Sequence, residues 1–425
     1  MRLFLTITLL FFCAPAFASP LTLQECIDRG LSDNPEIKAY RLAVDEAGEG
    51  IKEAWGAFLP TFSMSYGFNQ LSNGSSDERD SDYLDQDSNS YSYRLSQPVF
   101  AGLSGVAGLK RARQSRQYRQ SELKFMQKQL VREIQTSFYD ILQATAQVEK
   151  WDGSIRRLET QRDIAAAWCR QELAPRLRLL EVEVELSNAR QQFISAESRL
   201  AIARARLKEW LALDSDEPFD ITGSLQQQIT EPCMPIDACV QSALDQRPEL
   251  NMALLNIEMA RQDLRTIAAR NLPRVELDAA WTDYQRDYDD ARYSDDERDY
   301  YSVSFNVSIR PFQGGRTLFA WRRQRLAVQR LENQQINQRH AIGTEVKTRY
   351  QQLKESQARL TNADDSLIEA REAYQLASRS AELGVSSLND LLDAELRLSR
   401  AEINMIDTLH ALQLSKVLLD YSIGN

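Results

Sequence analysis

The chain has 425 residues, with 61 acidic side chains against 51 basic ones, a net charge of -10 and 43% hydrophobic residues. The acidic balance argues against duplex nucleic acid as a partner. Past the N-terminus no run of about 18 apolar residues exists to cross a bilayer as a helix; a membrane β-barrel stays open, because its strands leave a much weaker trace.

Residues 1–18 have the form of a secretory signal. Arg2 supplies positive charge, residues 3–12 an apolar core and Ala16-Phe17-Ala18 a small-x-small cleavage site, so the mature chain is expected to begin at Ser19. Cys13 follows two bulky phenylalanines, a poor context for acylation. Residues 21–58 carry a helical pattern broken at Asn34-Pro35-Glu36, where Asn34 is suited to cap a helix whose first turn holds Pro35. Leu59-Pro60 ends that helix.

Strict alternation follows. Phe62, Met64, Tyr66 and Phe68 oppose Thr61, Ser63, Ser65 and Gly67, the period of a strand. A polar loop is expected over 71–90, after which Tyr91, Tyr93 and Leu95 alternate with Ser92, Arg94 and Ser96. The pattern recurs in the second half of the chain, where Leu272-Pro273 repeats Leu59-Pro60 and Pro311 repeats Pro98 at the same offset. Val275, Leu277, Ala279 and Trp281 oppose Glu276, Asp278 and Ala280; an acidic loop is expected over 283–299; then Tyr301, Val303, Phe305, Val307 and Ile309 oppose Ser302, Ser304, Asn306, Ser308 and Arg310.

Apolar residues on one side, polar residues on the other and aromatic residues at the strand ends are the marks of a barrel wall in lipid. The alternative is a soluble antiparallel sheet packed on helices. On the barrel reading Phe62, Met64, Tyr66, Phe68, Tyr301, Val303, Phe305, Val307 and Ile309 face lipid. Arg94, Glu276, Asp278, Asn306 and Arg310 then face the lumen. Four strands cannot close a membrane barrel, which needs about eight or more, and an open edge cannot be left in hydrocarbon. The chain must then assemble, as a dimer of eight strands or a trimer of twelve.

Each hairpin leads into a long helix. Leu130, Ile134, Phe138, Ile141, Val148 and Ile155 form a coiled-coil-like stripe, matched in the second copy by Ile342, Val346, Tyr350, Leu353, Leu360 and Leu367. Some 70 residues make a helix of roughly 100 Å. Turns are expected near Ala174-Pro175 and Gly384, with shorter helices returning to about Leu213 and Ile423. Pro218, Gly223, Pro232 and Pro235 mark a linker. The expected organisation is a first repeat over 19–213 with its hairpin at about 61–97, a linker over 214–235, and a second repeat over 236–425 with its hairpin at about 274–310.

Two copies of helix, strand, polar loop, strand, long helix, turn and return helix resemble the TolC family of outer-membrane efflux proteins, over essentially the whole mature chain. Asn34-Pro35-Glu36 with Arg247-Pro248-Glu249, Leu59-Pro60 with Leu272-Pro273, and the stretch from Gly384 to Glu395 carry the likeness. The resemblance implies a mixed α and β membrane protein: a homotrimer with one twelve-stranded outer-membrane β-barrel, continued by a coiled-coil α-helical barrel into the periplasm of a Gram-negative type bacterium. It implies a passive conduit in outer-membrane lipid, neither an enzyme nor a holder of cofactors, that docks with a periplasmic adaptor and an inner-membrane RND, ABC or MFS transporter. Small-molecule efflux and type I protein secretion both stay open, and the reading from a different class is a soluble periplasmic coiled-coil scaffold.

In the family the tip turn carries aspartates that constrict the entrance; here the matching residues are Asp390 and Asp393, which threefold symmetry turns into rings. Ser387 and Asp390 also have the spacing of a helix cap. The first repeat departs from the pattern: Arg178 stands at the place of Asp390 and no turn glycine is present, so Arg178 either pairs with Asp390 or Asp393 and holds the tip closed or is a solvated arginine. Cys233 and Cys239 are either buried thiols or a bridge. The acidic loop residues lack the fixed spacing of a calcium loop. The two histidines, His340 and His410, have no nucleophile or metal-ligand spacing nearby.

Overall fold

The computed structural model describes residues 20–71, 86–214, 217–226, 235–288, 294–383 and 387–424. The expected signal segment, Cys233, the Gly384 turn and the central part of each acidic loop lie outside them. The elements run in order α1 (Leu23–Asp33), α2 (Pro35–Gly56), β1 (Thr61–Leu71), β2 (Gln86–Ala101), α3 (Ser104–Arg170) and α4 (Arg176–Leu211). They continue with α5 (Ile236–Gln246), α6 (Pro248–Ala268), a 3-10 turn (Ala269–Asn271), β3 (Arg274–Tyr288), β4 (Asp296–Ser308), α7 (Arg316–Glu382) and α8 (Leu388–Ile423). The repeat is visible in the lengths: α3 and α7 have 67 residues each, and α4 and α8 have 36 each. No described helix is long and apolar enough to cross a membrane.

The chain divides into two compact units. One takes the chain up to Ala39, Phe125–Arg247 and the chain from Ala341; the other takes Tyr40–Lys124 and Pro248–His340. In the first unit the α3 stripe is buried at Leu130, Ile134, Phe138, Ile141 and Leu158, and its α7 counterpart at Ile342, Val346, Leu353 and Leu367. Asn34 caps α2 as its sequence suggests: its Oδ1 accepts from the Glu36 amide at 2.9 Å, while its Nδ2 donates to the Trp210 carbonyl. At the equivalent place before α6 stands Arg247, whose guanidinium pairs with Glu345 at 2.7 Å.

In the second unit β1 to β4 form one antiparallel sheet in sequence order, with β1 and β4 at the edges. Ile257 and Ala260 of α6 pack on Val328 and Leu331 of α7. The strands are longer than the alternation suggests. Gln86–Ser90 pairs with β1, and Asp283–Tyr288 and Asp296–Asp299 pair with their neighbours, although all of them read as loop in the sequence. These segments are polar on both faces, so the backbone ladder continues where side-chain alternation stops. At the other end β4 stops at Ser308, leaving Ile309 and Arg310 just beyond the ladder ahead of Pro311.

Candidate functional site

The sheet carries the first candidate site. Cross-strand partners lie on the same face, so the register sorts the side chains. Met64 opposes Tyr93, Tyr93 opposes Trp281 and Trp281 opposes Tyr301; Leu95, Ala279 and Val303 form the next row, and Leu277 with Phe305 the one beyond. Phe62, Met64, Tyr66, Phe68, Tyr301, Val303, Phe305 and Val307 fall on this side of the ladder, and Ile309 lies beyond the strand end. Tyr93 stacks on Trp281 with ring centroids 5.4 Å apart, and Tyr66 meets Tyr91 at 4.9 Å. Among the described residues no second layer covers this face: Tyr301 is 82% exposed, Val303 77% and Phe62 69%.

The opposite face is polar. Arg94 pairs across the strands with Ser63 and Ala280, Asp278 with Ser96 and Ser304, and Glu276 with Asn306. Asp278 is the knot of this face: its carboxylate accepts from Ser96 Oγ at 2.5 Å and from Asn306 Nδ2 at 2.9 Å.

The second candidate site is the helical tip, where α3 turns into α4 and α8 begins. Chain reversal after α3 uses no glycine. Glu172 takes the left-handed conformation (φ 59°) instead, and the Leu173 amide donates to the Trp168 carbonyl at 2.9 Å. Asp390 sits in a capping box: its Oδ2 accepts from the Ser387 amide at 3.0 Å and from Ser387 Oγ at 2.7 Å, while its own amide donates to Ser387 Oγ at 3.2 Å. The Ser387 hydroxyl and amide hold the Asp390 carboxyl below its ordinary pKa. Asp393 lines a groove of about 440 Å³ with Leu177, Glu181 and Val184 of α4.

Arg178 does not take the expected partner within the chain. Its guanidinium pairs with Glu181 at 2.8 Å, three residues on along the same helix, rather than with Asp390 or Asp393. The reason is local: an acidic residue at i+3 on α4 is in reach without any movement between elements.

A third cluster escapes the sequence reading. Glu395 of α8 has no solvent exposure. Its Oε2 accepts from Arg157 Nε of α3 at 2.6 Å, and its Oε1 accepts from Ser154 Oγ and Ser399 Oγ, each at 2.9 Å. Glu402, one turn below Ser399, bridges Arg157 and Lys150 at 3.3 Å each. Burial works against the charge of Arg157, but its hydrogen bond and ion pair with Glu395 outweigh that and raise its pKa. The clue in the sequence is the spacing Leu388, Leu391, Glu395, Leu398, Glu402, in which two carboxylates occupy the apolar stripe of α8.

The remaining candidates are structural. His410 Nε2 lies 2.8 Å from Asp140 Oδ1, joining α8 to α3. Cys26 is fully buried, which pushes its thiol up to about 11. Cys169 is a half-buried free thiol, and Cys239 is buried. Among the described residues no cluster has the makings of a metal site.

The comparisons with known proteins agree with this architecture. The model of the family described as outer membrane efflux protein matches residues 26–213 and 239–425. Outer membrane protein TolC of Vibrio cholerae is 21% identical over 418 residues, covering 95% of this chain and 90% of that protein. The Campylobacter jejuni CmeC outer membrane channel superposes with a TM-score of 0.82 at 13% identity, covering 95% of this chain and 85% of that one. The open-state MtrE outer membrane channel of Neisseria gonorrhoeae gives a TM-score of 0.76 at 16% identity, covering 95% and 89%. The two family matches fall one on each half of the repeated fold, and this chain belongs to the outer membrane efflux protein family.

Proposed function

We propose that this protein is the outer-membrane exit duct of a tripartite efflux or secretion system: a homotrimer that joins its four-stranded sheets into a twelve-stranded barrel and carries a hollow helical conduit into the periplasm. The observation that carries the reading is the bare apolar face of the sheet. Among the described residues nothing covers it, and β1 and β4 leave open edges. In water such a face is a liability; in lipid it is the required surface, and the open edges are satisfied by the next copy. The polar face, with Arg94, Glu276, Asp278, Asn306 and Arg310, then lines the lumen. A soluble coiled-coil scaffold leaves the apolar face unexplained.

At the tip, Asp390 and Asp393 form the entrance constriction, and Arg178 is paired with Glu181 along α4. A periplasmic adaptor and an inner-membrane transporter complete the system and supply its energy; this chain is a passive conduit. Rings of carboxylates favour cations. The test is single-channel recording in planar bilayers. The wild-type trimer should form cation-selective channels, and Asp390→Asn with Asp393→Asn should raise conductance and reduce the cation preference. Unchanged selectivity removes the rings from the account, and absence of channels from wild-type protein overturns the duct itself.

A further inference from the structure

At the start of β3 and the end of β4 three arginines converge. Arg270 of the 3-10 turn, Arg274 at the first position of β3 and Arg310 just past β4 line one cavity of about 330 Å³. Asn306, Ser308 and Gln313 add polar groups to its wall, and Glu276 is its sole carboxylate. Arg157, Arg178, Arg247 and Arg261 all hold a carboxylate in ion pairs. Arg270, Arg274 and Arg310, in contrast, make no ion pair or side-chain hydrogen bond among the described residues, even with Glu276 in the same wall. Guanidinium groups left without a carboxylate around a polar concavity present forked N–H donors suited to a planar or tetrahedral oxyanion.

The placement is specific to one repeat. The corresponding positions of the first repeat hold Ala57, Thr61 and Gln97, none of them cationic. Gln97 is moreover occupied with the backbone, donating to the Phe58 carbonyl at 3.0 Å. The cavity lies toward the polar face, since Arg274, Glu276, Asn306 and Ser308 share that side of the ladder.

We infer that Arg270, Arg274 and Arg310 form an oxyanion-binding site at the inner end of the sheet's polar face, taking the phosphate, sulfonate or carboxylate group of a solute passing through the duct. The inference rests on the lumen reading of that face. Three such sites per assembly make a positive collar on the channel wall, opposite in sign to the aspartates at the entrance.

The experiment uses the full-length protein purified in an uncharged, phosphate-free detergent. Phenylglyoxal labels accessible guanidinium groups, and mass spectrometry resolves the rate at each arginine. Inorganic phosphate is compared with chloride at matched ionic strength. Phosphate at twice its dissociation constant should slow labelling of Arg270, Arg274 and Arg310 by about threefold, and leave Arg94, on the same face but outside the cavity, at its chloride rate. Arg310→Gln should abolish the protection at Arg270 and Arg274, with trimer assembly on a native gel as the folding control. Equal slowing at Arg94, no slowing at the three, or protection only when phospholipid is added overturns the solute site. The native gel separates the two readings: protection in a protein that is not a trimer sinks the duct and leaves the site standing.

Discussion

Glu172 and Asp390 mark the two ways this chain starts a return helix. Glu172 holds a left-handed backbone at the first tip turn without the side chain that tolerates it, and an L-residue there costs roughly 1–2 kcal/mol. Part of that is recovered by glycine, offset by glycine's greater freedom in the unfolded chain. Glu172→Gly should therefore stabilise the protein by about 0.5–1 kcal/mol per chain, read as a rise in thermal midpoint; a fall would show that the Glu172 side chain holds the turn. Asp390 adds a pH dependence. Its folded pKa is depressed by Ser387, so its contribution to the α8 cap is full above the ordinary carboxylate pKa of about 3.9. It is lost as pH falls through the lower folded value. Hydrogen exchange in the first turn of α8, corrected for intrinsic rates, should be flat from neutral pH down to that region and rise below it. With Asp390→Asn the acid-dependent step should vanish. Neither feature was fully legible in the sequence: the Ser387–Asp390 spacing announced a cap, but nothing in Glu172 announced a positive φ.

At the scale of elements, α8 is fastened to α3 by charge inside an apolar seam. Glu395 is fully buried and Arg157 mostly so. Removing one member of a buried pair costs up to about 3–5 kcal/mol; here Glu395→Ala leaves Arg157 only its longer pair with Glu402 and strips Ser154 and Ser399 of their acceptor. Glu395→Ala should lower stability by that order in chemical denaturation. Replacing Glu395 and Arg157 together by leucine and methionine should restore most of it. If the single change costs under about 1 kcal/mol, as for an exposed pair, the buried network does not hold the helices. This cluster was visible only as two carboxylates on an apolar stripe, because sequence periodicity gives a residue's face and not its partner. The strands show the reverse limit. Their alternating parts were legible, while Gln86–Ser90 and Asp283–Tyr288 pair in the ladder with no alternation to betray it. Backbone pairing needs only neighbours; an alternating pattern needs two different environments.

For the whole molecule the number of strands decides the assembly. Each chain brings four, with an exposed apolar face and two unpaired edges. A barrel in lipid must close, and three copies close it at twelve. The repeat, the hairpins and the long helices were all readable from sequence, because the duplication carries prolines and apolar stripes along at a nearly constant offset. The partner of Arg178 was not, since an acidic neighbour three residues on competes with any distant one. Closure of the barrel by three copies is read by native mass spectrometry of protein released from detergent micelles. A species of three chains is expected, extracted from the outer membrane only with detergent. A single chain released from the periplasm without detergent would contradict it.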